Sequence, residues 1–180
     1  MKVIDTELPG VKVIEPKVFG DHRGFFLETY NAARYREIGI DVTFVQDNHS
    51  KSSKGVLRGL HYQVVQPQDK LVQCVRGAVW DVAVDLRPGS ATFGRWFGVE
   101  LDEASHRQIF VPKGFAHGFC VLTDEAEIMY KCSDLYAPGG EGGVIWDDPE
   151  LAIAWPIDAP VLSDKDAALP RLKDARPATF

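Results

Sequence analysis

The chain has 180 residues, enough for one domain over 1–180 that needs no disulfide or metal staple, and with 45% hydrophobic and 26% charged residues it has an ordinary globular composition. A formal net charge of −6 provides no broad cationic footprint, so no nucleic-acid partner is expected, only a local cationic pocket for a small anion. Asp5 and Glu7 break the N-terminal stretch, Asp81 and Asp85 interrupt the most apolar run, and Cys74, Cys120 and Cys132 show no CxxC spacing; these features disfavour a signal peptide, a membrane partner, a disulfide framework and a zinc knuckle, leaving buried thiols and a cytoplasmic location as the expectation.

In chain order, β-branched and aromatic residues alternating with polar ones predict strands at 11–14, 25–30, 42–48, 71–75, 78–86, 96–100, 108–111, 118–122 and 128–135. Turn signals separate them at Pro9-Gly10, Gly20-Asp21, Pro88-Gly89, Pro112 to Gly114 and Pro138 to Gly143. Helix is scarce: 31–39 with Asn31 as cap and Gly39 as stop, a single turn at 102–107, and a short turn at 163–168 within a tail that wraps the surface. Many short strands at such spacing predict an all-β sandwich or barrel.

The sharpest local pattern is Pro112-Lys113-Gly114-Phe115-Ala116-His117, which reads PxGxxH. It resembles the second motif of the cupin superfamily, in which a Pro-Gly turn leads a strand whose His points into a barrel. Gly59-Leu60-His61-Tyr62-Gln63, followed by Lys70 and Gly77, resembles an altered first motif. A metal-binding cupin carries HxH and then a Glu; here Gln63 stands at the second His, and Lys70 stands roughly at the Glu. A divalent cation needs several deprotonated donors converging on it, and an ammonium repels it. The same ammonium suits negative charge developing on oxygen. The expectation is a cupin-type jelly-roll β-barrel of two antiparallel sheets with a few short helices, working without metal or cofactor.

The resemblance then narrows. PKVFGDHRGFFLETYN from Pro16, FVQDNHSKS from Phe44, VLRGLHYQ from Val56, KLVQCVRGAVWDVAVDLR from Lys70, TFGRW from Thr92, VPKGFAHGF from Val111 and LSDKD from Leu162 are similar, in order, to the dTDP-4-dehydrorhamnose 3,5-epimerase family. That likeness implies a nucleotide-sugar substrate with a ketone at C4. Hydrogens on C3 and C5 flank this ketone, and each inversion needs a base, a partner for the enolate oxygen and an acid on the other face.

By resemblance His61 is the base, and its ordinary pKa of ~6.5 suits that task. Asp166, rather than Asp164 at the variable position of LSxKD, orients it. Lys70 supports the enolate oxygen, His117 polarises the ketone or holds the sugar, and Tyr130 is the opposite-face acid. Tyr136, six residues on and of the same parity, is a sugar contact. Arg58 is the diphosphate ligand, because a guanidinium forks onto phosphate oxygens. Arg58 and His61 differ by three, which on a regular strand turns them to opposite faces. Either Gly59 introduces a bulge or Arg58 lies on a lead-in loop. The resemblance adds Arg23, Glu28, Gln46, Asp47, Asn48, Glu141 and Lys165 to the nucleotide site, whereas Asp81 reads as a buried structural or supporting carboxylate. Taken singly, most of these residues have an ordinary reading: a satisfied core histidine, a solvated strand-end lysine, a core tyrosine, a surface ion pair.

The family implies a homodimer with exchanged N-terminal strands, and a product handed on to a dTDP-4-dehydrorhamnose reductase. Alternatives are a single-carbon epimerase of a related deoxysugar pathway, a metal-dependent cupin oxygenase or isomerase, and a non-catalytic sugar-nucleotide binder.

Overall fold

The structure is a computed structural model that describes residues 1–177; the last three positions of the 1–180 domain expectation lie outside the described residues. The strands are β1 (Lys2–Asp5), β2 (Lys12–Glu15), β3 (Val18–Asp21), β4 (Gly24–Leu27), β5 (Gln46–Ser53), β6 (Leu57–Gln63), β7 (Lys70–Arg76), β8 (Ala78–Asp85), β9 (Trp96–Asp102), β10 (Gln108–Val111), β11 (Phe115–Val121), β12 (Glu125–Cys132) and β13 (Glu141–Gly143). Among the described residues helix is confined to α1 (Ala32–Glu37), α2 (Asp164–Ala167) and a 3-10 turn at Leu172–Asp174.

Two antiparallel sheets face each other, one of six strands in the order β1-β2-β10-β7-β12-β5 and one of five in the order β13-β6-β11-β8-β9. Apolar side chains between them form the main core, with Val72, Val79, Leu101, Ile109, Phe115, Phe119 and Ile128 all buried. Burial of this kind contributes roughly 1.5–3 kcal/mol per large side chain. A second cluster packs the tail onto the five-stranded sheet, with Trp155 and Leu172 against Leu60, Tyr62 and Val82. A third seats α1 through Tyr35 against Ile14, Leu71 and Phe110. This is a cupin-type jelly roll.

Four predicted strands, 25–30, 42–48, 118–122 and 128–135, differ by three residues or more at an end, 118–122 because β11 already begins at Phe115 after the Pro112–Gly114 turn, and β1, β3, β6 and β13 lie outside the predicted segments. The segment 25–30 is strand only to Leu27, pairing with β3 alone in a separate hairpin. Its Phe25 and Phe26 are 61% and 69% exposed, so its apolar pattern does not mark a core position here. β5 begins at Gln46 and runs through QDNHSKSS, because eight successive pairs with β12 rather than an apolar face define it. β12 starts and ends three residues before 128–135; Glu125 and Glu127 extend its start by pairing across the sheet with Lys51, Arg76 and His49.

The helical expectations hold locally. Asn31 caps α1, its side chain accepting from the Ala33 and Arg34 backbone N–H groups, and Gly39 follows the helix at φ +84°. Residues 102–107 form a turn in which Asp102 accepts from the Ala104 and Ser105 N–H groups.

Candidate active site

The question of Arg58 and His61 is resolved by register. On β11 and β6, His117 pairs with His61 and Phe119 with Arg58, so the step from 117 to 119 spans 58 to 61 on the partner. β6 therefore carries one extra residue, a bulge at Gly59, whose φ is +112° and whose peptide bond to Leu60 is cis. A Cβ at Gly59 would stand 2.7 Å from Gly118 Cα and His117 O, so the strand crossing admits only glycine. The bulge resets the parity, and Arg58 and His61 line the same cavity.

That cavity, of about 500 Å³, opens between the sheets and is also lined by Lys70, His117, Tyr130, Lys165 and Asp166. A smaller one of about 180 Å³ shares His61, Lys70 and Tyr130 and adds Gln46, Asn48, Gln63, Cys132, Tyr136 and Glu141. His61 and Tyr130 come from opposite sheets, so the shared space lies between them.

Asp166 reaches His61 because the tail returns beside β6. Val161 bridges Val56 in parallel, and the Leu57 N–H donates to Val161 O at 3.0 Å. Ser163 then caps α2, accepting from the Asp166 N–H at 3.1 Å and donating through Oγ to Asp166 Oδ2 at 2.9 Å. The other oxygen, Oδ1, lies 2.6 Å from His61 Nε2. Burial alone raises the pKa of Asp166, but the hydrogen bond and charge of His61, together with Ser163 and the Gly59 backbone, outweigh burial and hold it below the usual value.

His117 has a carboxylate of its own: its Nε2 is 2.9 Å from each oxygen of Asp81, which is wholly buried on β8. Lys70 opens β7, and no carboxylate pairs with it among the described residues. Burial pulls its pKa down, partly opposed by the electrostatic influence of Cys132, Asp81 and Glu141. Burial pushes the Tyr130 phenol up, with Cys132 and Glu141 adding to the rise and Arg58 opposing it.

Arg58 is held at the cavity mouth, donating from Nε to Ser52 Oγ at 2.9 Å and from Nη2 to Lys51 O at 3.3 Å. Lys165 pairs with Glu141 at 2.5 Å. Gln46 donates to Asn48 at 3.0 Å and accepts from the Tyr136 N–H at 3.0 Å, which joins these three residues at the smaller cavity. Three expected residues lie elsewhere. Asp47 faces the other side of β5 and pairs with Lys131 at 2.9 Å. Arg23 sits in the β3–β4 turn on Asp21, and Glu28 follows β4 and pairs with Arg34. The residues not anticipated are those that hold others in position, Ser52 and Ser163, and two that line the walls, Ser50 and Cys132. Ser163 was readable as the cap of an S-x-x-D pattern. Among the described residues no group of three or more His, Cys, Asp or Glu side chains is arranged to hold a metal ion, and no helix is long and apolar enough to cross a membrane.

Two jelly-roll sheets enclosing a polar cavity, with two His–carboxylate pairs, a lysine and a tyrosine converging on it, define a cupin-type barrel with the residues of acid/base chemistry. Residues 5–174 match the sequence profile of the dTDP-4-dehydrorhamnose 3,5-epimerase family, and the chain belongs to that family. A dTDP-4-dehydrorhamnose 3,5-epimerase of Shigella flexneri is 56% identical over 178 residues, covering 97% of this chain and 98% of its own length. The crystal structure of a 3,5-epimerase from Legionella pneumophila in complex with dTDP-4-keto-L-rhamnose superposes with a TM-score of 0.94 at 54% identity, covering 96% of this chain and 93% of that one. A dTDP-4-dehydrorhamnose 3-epimerase of Streptomyces niveus is 46% identical over 180 residues, covering 99% of this chain and 87% of its own length.

Proposed function

We propose that the protein epimerises C3 and C5 of dTDP-4-dehydro-6-deoxyglucose, giving dTDP-4-dehydrorhamnose. The observation that carries this reading is the opposition of the His61–Asp166 pair on one sheet to Tyr130 on the other across a shared cavity. His61 takes the proton from C3 or C5, and the C–H electrons pass to the C4 oxygen, leaving an enolate. Asp166 fixes the imidazole and stabilises its protonated form. Lys70 donates to the enolate oxygen. Without a paired carboxylate, its ammonium gains most when negative charge arises in front of it, so its stabilisation is concentrated on the transition state. Tyr130, kept protonated by burial, delivers a proton to the opposite face, and the C4 ketone re-forms. The phenol regains a proton and His61 releases one to solvent.

Arg58 and Lys165 at the mouth suit the diphosphate, and Tyr136, Gln46, Asn48 and Glu141 suit the nucleoside and sugar. Arg23 and Glu28 reach such a site only from a second copy. The β3–β4 hairpin is bonded to neither large sheet and exposes Phe19, Phe25 and Phe26, which supports a homodimer that exchanges this arm. The product retains its ketone, so a reductase, dTDP-4-dehydrorhamnose reductase, is the functional successor.

Proton NMR in deuterium oxide tests the reading. Incubation with the 4-keto substrate gives deuterium at both C3 and C5 and the inverted sugar. Inversion at one carbon alone makes the protein a single-carbon epimerase, and no exchange at either carbon refutes epimerisation.

A further inference from the structure

Two His–carboxylate pairs meet in the cavity, and their carboxylates are supported very differently. Asp166 accepts from His61, from Ser163 Oγ and from the Gly59 backbone. Asp81 is 0% exposed, and its only hydrogen-bond donor among the described residues is His117 Nε2, shared between both oxygens at 2.9 Å. Asp85, equally buried on the same strand, has Arg87, Ser90 and Thr92 as donors, so Asp81's dependence on one imidazole is not a general feature of β8. A buried carboxylate with a single neutral donor is poorly compensated, whereas an imidazolium neutralises it.

The geometry also fixes which nitrogen is which. A ring nitrogen 2.9 Å from both oxygens of a carboxylate carries a proton, so Nε2–H belongs to Asp81. Nδ1 has no partner among the described residues, and His117 lines the large cavity beside Lys70 and opposite its cross-strand neighbour His61. The charged or titratable groups that share its cavity are Asp81 from β8, His61 and Arg58 from β6, Lys70 from β7, Tyr130 from β12, and Lys165 and Asp166 from α2.

We propose that Asp81 is a positioning residue for the epimerisation: it holds the Nε2–H of His117 and carries the counter-charge that lets His117 donate from Nδ1 to the substrate's C4 oxygen, beside Lys70. This rests on the reading of the cavity as a 4-keto-sugar epimerase site. The two pairs then perform opposite tasks. The carboxylate of His61 has further donors in Ser163 Oγ and the Gly59 backbone, whereas the carboxylate of His117 has that imidazole alone, so only the second pair is built around a single N–H.

The test combines a measurement on the intact protein with a mutant cycle. In wild-type protein labelled with ¹⁵N-histidine and bound to dTDP, long-range ¹⁵N–¹H correlation, assigned with His117→Asn, is expected to find both nitrogens of His117 protonated. Protonation at only one nitrogen overturns the donor role. Asp81→Asn keeps the shape and removes the charge, and should lower kcat about 10- to 100-fold, within the range for weakening one oxyanion donor, with KM and dTDP affinity little changed. His117→Asn should cost at least as much, and the double variant no more than His117→Asn alone, because Asp81 acts through His117. Independent, multiplying losses, or an Asp81→Asn enzyme within twofold of wild type, overturn the proposal. If Asp81→Asn does not fold, the correlation spectrum of the wild type decides. Wild-type protein without any deuterium exchange would instead refute the epimerase reading itself.

Discussion

Replacing Asp166 by Asn tests whether His61 is the base and whether its carboxylate does more than hold it. The variant keeps an acceptor oxygen at the position that now lies 2.6 Å from His61 Nε2 and removes only the charge. During proton abstraction the imidazole becomes cationic. The lost attraction between unit charges about 4 Å apart at an effective dielectric of about 20 is at most about 4 kcal/mol. The pair is not sealed from water, since the His61 side chain is 28% exposed, and a neutral hydrogen bond survives; about 2 kcal/mol is the lower end. At 1.4 kcal/mol per decade, kcat should fall by about 30- to 700-fold, with little change in dTDP affinity. His61→Asn should fall further, because no base remains. The assay is deuterium incorporation at C3 and C5 followed by NMR, with calorimetric titration of dTDP as the control for an intact site. An Asp166→Asn enzyme within threefold of wild type, or one more impaired than His61→Asn, would refute the assignment.

Tyr130→Phe should leave exchange with retained configuration while inverted product becomes scarce, as shown by NMR of the recovered sugar; equal loss of both shifts the acid's role to Tyr136 or water. Lys70→Ala should instead depress exchange and inversion together, since the enolate itself loses its support. Chelator treatment followed by dialysis should leave turnover unchanged, and restoration of a lost activity by Fe²⁺ or Zn²⁺ would overturn the metal-free mechanism. Burial pushes the Asp85 carboxyl up, but hydrogen bonds from Arg87, Thr92 and Ser90 outweigh it and hold its pKa at about 2. A folded-state value below the unfolded one stabilises the protein above the ordinary carboxylate range and is lost as pH falls toward 2; urea midpoints should therefore drop between about pH 4 and pH 2, and less so in Asp85→Asn. Gly59→Ala should destabilise by roughly 3 kcal/mol in urea denaturation, combining φ strain with a backbone clash.

What the sequence revealed depended on how each residue is buried. β8 and β11 alternate apolar and small residues against a core on the inner side, and their periodicity predicted them. Asn31 and Gly39 bracket α1 by local chemistry alone. β5 begins four residues beyond the start that the alternation predicts, because one of its faces meets a polar cavity and the other solvent, so no hydrophobic signal marks it and the partner strand specifies its register. β13, three residues with two glycines, carries no propensity of its own and forms because β6 offers an edge. The hairpin carrying Arg23 gave a strand signal from Phe25 and Phe26, yet those rings lie exposed in one chain, and Arg23 and Glu28 stay away from the cavity.

His61 and His117 are direct cross-strand partners, an arrangement in which two imidazoles can share a cation. Their surroundings direct them otherwise. Each turns Nε2 to a carboxylate of its own, Asp166 from the tail and Asp81 from β8, so neither presents that nitrogen to a common point. Gln63, buried two residues beyond His61, offers an amide where a third imidazole would be needed, and Lys70 adds a positive charge to the same space. A site with two separately tethered imidazoles and an ammonium favours an anion, and the anion this substrate chemistry creates is an enolate. The same strands and the same bulge at Gly59 then bring Arg58 to the mouth, so one register shift in β6 sets the proposed diphosphate ligand and the proposed base in one cavity.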